Sequence, residues 1–292
     1  MLLPRFDFHE PATIEEACQV MAELGPEAKP LAGGTDLIVN MKKKILPPAH
    51  LVSLSRIENL QQMVPSNGGV RIGAGITVSE LSESHEIETR LKALSTGARG
   101  LGSPLIRNLA TIGGNLVSAR PAADLPPSLM AYGAMIVLKT NSGERSIPLE
   151  DLFLGPGETV LEPHEILTEI HINNPPPHSG AAYFKLGVRE ALEISLVNVA
   201  AFISLDDDDS IKEARIVLGS VAPTPIRSED AEKVLLGEKP TGTLFTQAGE
   251  AASKECRPID DFRASAAYKR AMVEVLTSRT LNMALKEAKE NR

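Results

Sequence analysis

Pro30-Leu31-Ala32-Gly33-Gly34-Thr35-Asp36-Leu37 and Thr111-Ile112-Gly113-Gly114-Asn115 are the two stretches on which the reading of this 292-residue chain turns. Paired glycines let the backbone take positive φ and leave no Cβ in the way. Successive N–H groups can then point into one concavity that suits a phosphate, and Thr35 and Thr111 add hydroxyl donors. Either stretch taken alone reads as a tight turn. Two Gly-Gly-polar turns from distant parts of one chain favour a grip on a pyrophosphate from both sides.

Around the first turn, Thr13 is placed to cap a helix carrying Ile14, Ala17, Cys18, Met21 and Leu24 on one face, with Glu16 completing a capping box. Gly25-Pro26 stops it. Leu37, Ile38 and Met41 predict a short second helix, and Leu51–Leu54 a strand. Around the second turn, Val70–Gly75 predicts a strand, Thr77 a cap, residues 86–99 a helix and residues 100–115 a glycine-rich loop. Strands follow at Met135–Leu138 and Ile166–Ile172, and Asn141-Ser142-Gly143 predicts a hairpin turn. Asn173-Asn174-Pro175-Pro176-Pro177 reads as a linker. Beyond it, strands are expected at Ala181–Gly187, Leu196–Leu205 and Ala214–Ser220, with Asp206–Asp209 at a solvated hairpin tip. Helices are expected around Ala231–Leu235 and over Ala264–Lys289. Strands and helices do not alternate regularly, so an α+β fold of two domains fits better than a doubly wound sheet. The length agrees, at roughly 150 residues per domain.

Composition excludes several classes. Lys+Arg is 30 and Asp+Glu 38, a formal net charge of −8, which removes the whole-chain electrostatic case for nucleic-acid binding. Cys18 and Cys256 are the only cysteines and cannot form a four-thiolate cluster. No apolar run approaches the ~18 residues of a membrane span. The N-terminus lacks the apolar core of a signal peptide, so a cytoplasmic protein is expected. The histidines show no HExxH spacing and no metal site is expected. Gly73-Ala74-Gly75 resembles a dinucleotide fingerprint, but Val78 stands where its third glycine belongs.

Between the second turn and the next strand lies Ser118-Ala119-Arg120-Pro121-Ala122-Ala123-Asp124-Leu125-Pro126-Pro127. A rigid Pro-flanked loop can hold Asp124 to accept from ribose or ribityl hydroxyls. Asp124 can equally cap a helical segment over Ser128–Tyr132, and the two roles are compatible.

The segments AGGTDL, TIGGN, PAADLPP and YFKLGVREALEIS together resemble the FAD-binding medium subunits of the molybdenum hydroxylases, of the carbon monoxide, xanthine and nicotinate dehydrogenase type. The resemblance covers nearly the whole chain. It implies a two-lobed α+β FAD-binding domain of the vanillyl-alcohol oxidase/MurB type over residues 1–175, with lobes of roughly 1–55 and 56–175. A C-terminal domain over 176–292 would carry a three-stranded antiparallel sheet with a helical bundle. Pro30, Leu31, Ala32, Gly33, Gly34, Thr35, Asp36 and Leu37 match one pyrophosphate loop. Thr111, Ile112, Gly113, Gly114 and Asn115 match the other. Asp124 matches an acidic residue that bonds the ribityl or ribose part. Leu101, Leu167, Lys185 and Ile194 match positions near the flavin ring.

Leu101 and Ile194 are aliphatic where some relatives are aromatic, so ring contacts there would be apolar packing without a π partner. Relatives acting on 4-hydroxybenzoyl-CoA carry an inserted loop with four cysteines, which this chain lacks. The resemblance further implies a large molybdopterin subunit and a small subunit with two [2Fe–2S] clusters, assembled as a dimer of heterotrimers. It implies an external electron acceptor such as NAD or a quinone, and no residue of this chain acting as a catalytic acid, base or nucleophile. A free-standing FAD oxidoreductase of the MurB-like fold and a scaffold that has lost FAD are the alternatives.

Overall fold

The computed structural model describes residues 2–66, 68–189 and 192–292. The chain first forms β1 (Asp7–His9), α1 (Ile14–Leu24), β2 (Ala28–Leu31), α2 (Leu37–Lys42) and β3 (His50–Ser53). These strands make a parallel sheet in the order β1-β3-β2. Helix α1 buries Ile14, Ala17, Cys18 and Met21 in a cluster with Ala28, Val52 and Leu60, as its spacing predicts. Each large side chain so buried contributes about 1.5–3 kcal/mol. The Thr13 hydroxyl accepts from the Glu16 N–H at 3.1 Å, but the Glu16 carboxylate takes the N–H of Ala12, not that of Thr13. The expected capping box is therefore offset by one residue. A complete one forms instead between Thr77 and Glu80.

The middle of the chain runs through β4 (Met63–Ser66), β5 (Gly69–Gly73), α3 (Val78–Glu83), α4 (His85–Arg90), α5 (Lys92–Gly100), α6 (Pro104–Arg107), α7 (Ile112–Val117) and α8 (Leu125–Ala131). It continues with β6 (Met135–Lys139), β7 (Glu144–Pro148), the small hairpin β8 (Phe153–Gly155) and β9 (Glu158–Thr159), and β10 (Ile166–Asn173). An antiparallel sheet results, in the order β4-β5-β10-β6-β7. The helix expected over 86–99 is broken at Leu91, whose φ of −134° and ψ of 54° leave the helical region. The loop expected over 100–115 contains α6 and the first turn of α7. A Cβ on Gly73 would lie 2.3 Å from the Leu60 carbonyl oxygen, so close backbone approach explains that glycine.

The remaining elements are β11 (Ser179–Leu186), β12 (Val197–Leu205), β13 (Ile211–Gly219), β14 (Ile226–Arg227), α9 (Glu229–Leu235), α10 (Gly242–Glu255) and α11 (Ala266–Glu290). The expected three-stranded antiparallel sheet gains a fourth strand, the two-residue β14. All nine residues of β12 are buried because helices cover both faces of this sheet. Ala200 and Phe202 point into the core shared with α5 and α8, while Val199, Ala201 and Ile203 point into the core under α10 and α11. The acidic run 206–209 forms the β12–β13 turn, with Asp209 at a φ of +63°.

Candidate functional site

A cleft of about 760 Å³ brings together residues from all three parts of the chain. This volume falls within the range of about 300–1,000 Å³ usual for small-molecule sites. Asp36, Leu101, Asn115, Asp124 and Ile194 are the sequence-predicted site residues on its wall.

The segment after β2 leaves its backbone open. Gly34 takes a φ of +71°, and a Cβ on Gly33 would lie 1.7 Å from the Leu109 carbonyl oxygen. Gly33 is therefore required for contact with the α6–α7 connection, and Gly34 for the turn itself. Among the described residues, the N–H groups of Gly33, Gly34, Thr35, Asp36 and Leu37 meet no acceptor. A row of unpaired, half-buried N–H donors is the concavity expected of an anion-binding turn.

The second glycine pair behaves differently. The N–H groups of Ile112 and Gly113 bond the carbonyls of Ile76 and Ala74, both at 2.9 Å. Gly114 N–H bonds the Thr111 hydroxyl at 3.1 Å, and Asn115 N–H bonds the Thr111 carbonyl at 2.9 Å. Two of these donors tie the segment to the turn after β5 and two start α7, so the expected row of free N–H groups is absent at 112–115. Gly113 is needed because a Cβ there would lie 2.6 Å from that of Ala74. This segment contributes Asn115 to the cleft wall, and its buried Oδ1 has no partner among the described residues.

Asp124 stands one residue before α8 but does not cap it: its own φ and ψ are helical and its side chain makes no cap bond. Its carboxylate instead accepts from three groups far along the chain. The Tyr183 hydroxyl and Lys185 Nζ, both on β11, lie at 2.8 Å, and the Ser195 hydroxyl lies at 3.1 Å. Lys185 Nζ also donates to the Gly100 carbonyl at 2.9 Å. Asp124 is only 5% exposed. Burial pushes its carboxyl above the ordinary carboxylate value, while the Lys185 ammonium and the two hydroxyls pull the other way. Burial and the neighbouring Asp124 carboxylate push the Tyr183 phenol well above its usual value. Two residues matched to separate roles, Asp124 and Lys185, thus form one buried ion pair, of which Asp124 lines the cleft.

Leu101 is buried at the end of α5, and Ile194, 56% exposed, sits on the rim. Pro30 and Leu31 lie in the β2 ladder, and Thr35 is half-buried. Ile112 and Leu167 are core residues beneath the wall, packed with Leu101 and Leu125. Glu190 and Ala191, in the stretch that follows Lys185, lie outside the described residues.

Several wall residues carried no sequence signal. Arg263 donates to the Ser195 carbonyl at 3.2 Å and pairs with Asp261 at 2.7 Å. Asp261 also holds the buried Lys269 ammonium at 2.8 Å. Arg120 reaches Asp36 at 3.5 Å, linking the first turn to the Asp124 loop. Ser220 lines the cleft, and its buried hydroxyl has no partner among the described residues. Free N–H donors, an unmatched amide oxygen and an unmatched hydroxyl are the complements of a ligand carrying phosphates and hydroxyl groups, and this residue set fits FAD.

Comparison with known proteins agrees. Residues 4–175 match the family described as the FAD binding domain in molybdopterin dehydrogenase, and residues 182–284 match the CO dehydrogenase flavoprotein C-terminal domain. The chain is 34% identical to the carbon monoxide dehydrogenase medium chain of Hydrogenophaga pseudoflava, over 97% of this chain and 98% of that one. It is 31% identical to a putative xanthine dehydrogenase FAD-binding subunit of Escherichia coli, over 97% and 98%. The solved carbon monoxide dehydrogenase from Hydrogenophaga pseudoflava superposes with a TM-score of 0.93, and quinoline 2-oxidoreductase from Pseudomonas putida with 0.92 at 26% identity over 99% of each chain. The chain belongs to the FAD-binding medium subunits of the molybdenum hydroxylases. It is an oxidoreductase subunit whose cofactor is FAD. Among the described residues no helix is long and apolar enough to cross a membrane.

Proposed function

We propose that this chain is the electron-transfer subunit of a cytoplasmic molybdenum hydroxylase, assembled with a large molybdopterin subunit and a small subunit carrying two [2Fe–2S] clusters, as a dimer of heterotrimers. Substrate is oxidised on the large subunit, and electrons leave through this chain to an external acceptor such as NAD or a quinone. Bound FAD supplies the ability to collect electrons singly and release them in pairs. Residues 1–175 form the FAD-binding domain and 176–292 the C-terminal domain.

The observation that supports this reading is the run of free N–H donors over 33–37, which reaches the cleft at Asp36, together with the buried Asp124–Lys185 pair, which reaches it at Asp124. Gly33 to Leu37 bind the pyrophosphate through backbone N–H groups, and Asn115 accepts a hydrogen bond from the cofactor. Lys185, held by Asp124 and the Gly100 carbonyl, stabilises negative charge that develops on the ring. Leu101 and Ile194 give an apolar contact that keeps water from it. No side chain of this chain takes or gives a substrate proton.

The test is to purify the chain from its native host and identify its companions and metals. Flavin, molybdenum, iron and two companion chains, one large and one small, are expected. A lone yellow protein without metals would instead make it a free-standing flavoenzyme, and a colourless lone protein a scaffold.

A further inference from the structure

The donors around Asp124 divide unequally between its two oxygens. Oδ1 accepts from the Tyr183 hydroxyl at 2.8 Å and from the Ser195 hydroxyl at 3.1 Å. Oδ2 accepts from Lys185 Nζ at 2.8 Å. The two hydroxyls thus fix one oxygen of the carboxylate and turn the other toward the cation. An ammonium has about three donors to give. Lys185 uses a second one on the Gly100 carbonyl at 2.9 Å, beside the wall residue Leu101. Among the described residues its third N–H meets no acceptor.

Both hydroxyls are themselves held in place. Tyr183 is 3% exposed and stands two residues before Lys185, on the same face of β11. Ser195 is fully buried. Its hydroxyl accepts from Asn198 Nδ2 at 3.3 Å, which leaves its own hydrogen for Asp124. Its carbonyl accepts from Arg263 at 3.2 Å, and Asp261 fixes Arg263 at 2.7 Å. Asn198 lies directly opposite Lys185 in the β11–β12 ladder, so the cation and the support of the hydroxyl share one row of the sheet. A hydroxyl that donates to a carboxylate favours its ionised form, and burial opposes it. Lys185 and Tyr183 are the titratable groups that bear on Asp124, and burial outweighs them. Without the two hydroxyls Asp124 takes a proton more readily, and its pair with Lys185 passes from no net charge to one positive charge.

We infer that Tyr183 and Ser195 are positioning residues for the flavin: their hydroxyls keep Asp124 ionised and turned toward Lys185, so that the pair meets the cofactor with no net charge. The inference rests on the reading above that Lys185 serves the ring, and its test separates the two.

The assembled complex is prepared as wild type, Tyr183→Phe, Ser195→Ala and Lys185→Met. The reduction potential of the bound flavin is followed by redox titration from pH 5 to pH 9. Loss of one hydrogen bond to a charged group is worth about tenfold, so the pH at which Asp124 accepts a proton rises by about one unit in each hydroxyl variant. Below that point Lys185 lacks its countercharge and the flavin is reduced more readily. Toward pH 5 the potential of both variants should stand above wild type by about 30 mV, a tenfold shift of a two-electron equilibrium, and at pH 9 the curves should merge. A purely structural role would weaken FAD binding or lower the melting temperature without this pH-dependent rise. Curves of both hydroxyl variants that overlay wild type, with Lys185→Met displaced downward, would overturn the inference and leave Lys185 beside the ring. A Lys185→Met curve that also overlays wild type would overturn the reading of Lys185, and this inference with it.

Discussion

Replacing Lys185 by Met tests the buried ion pair directly. Methionine keeps an unbranched apolar stem but leaves the Asp124 carboxylate, whose side chain is 7% exposed, without its countercharge. Breaking a buried pair from one side costs about 3–5 kcal/mol, because the remaining charge is stranded. At about 2 °C per kcal/mol for a chain of this length, the melting temperature should fall by about 6–10 °C. The loss depends on pH. Burial already holds folded Asp124 above the roughly 3.9 of an unfolded aspartate. Between those two values the unfolded state has released the proton and the folded state keeps it, so stability falls as pH rises. Without Lys185 the window widens upward, so the variant's deficit is larger at pH 8 than at pH 5. Adding Asp124→Asn removes the stranded charge, and the double variant should recover most of the lost stability at pH 8. Melting curves of wild type, single and double variants at both pH values decide the matter. A Lys185→Met variant that melts within 2 °C of wild type, or a deficit that Asp124→Asn does not relieve, would refute the reasoning.

Two further outcomes follow from distances already given. Gly33→Val places a Cβ 1.7 Å from the Leu109 carbonyl oxygen, so the first turn must move off the α6–α7 connection. The variant should purify without the flavin absorbance near 450 nm while keeping the fold of residues 179–290; a fully yellow variant would show that the first turn does not hold the cofactor. Asp261→Asn should loosen the segment that Arg263 anchors. Arg263, and then Lys269, hold the Asp261 carboxyl well below the usual carboxylate range. Its stabilising effect is therefore complete above about pH 3.9 and is lost as pH falls through the folded value. The melting gap between variant and wild type should be full at pH 7 and narrow on acidification toward pH 3; a gap independent of pH would remove Asp261 from the role.

Much of this architecture was legible in the residues because local chemistry and tertiary packing agree. The face of α1 and the β10 strand follow from apolar spacing. The misreadings share a cause. A glycine pair announces backbone freedom or close approach, and the residues alone do not say which. Gly34 serves a turn whose donors stay open, whereas Gly113 lets α7 press against Ala74 and leaves the donors there consumed. Thr13 and Glu16 carry the spacing of a capping box, but the carboxylate reached one residue further back. Asp124 has the local signature of a helix cap, and what overrode it was a set of partners 59 to 71 residues away. Arg263 was invisible for the same reason: it anchors to the Ser195 carbonyl, 68 residues away in the chain.

The bonds to Asp124 also bear on how the protein is made. Its carboxylate belongs to the first half of the chain, and its three donors to residues 183, 185 and 195. While the ribosome adds those residues, at about 5–20 per second, the nascent first half carries an acid destined for burial with nothing to answer it. The helices around Asp124 cannot close over it until β11 and the Ser195 segment have emerged. The pocket wall is completed late, because the Asp124 side of it waits for residues 183, 185 and 195.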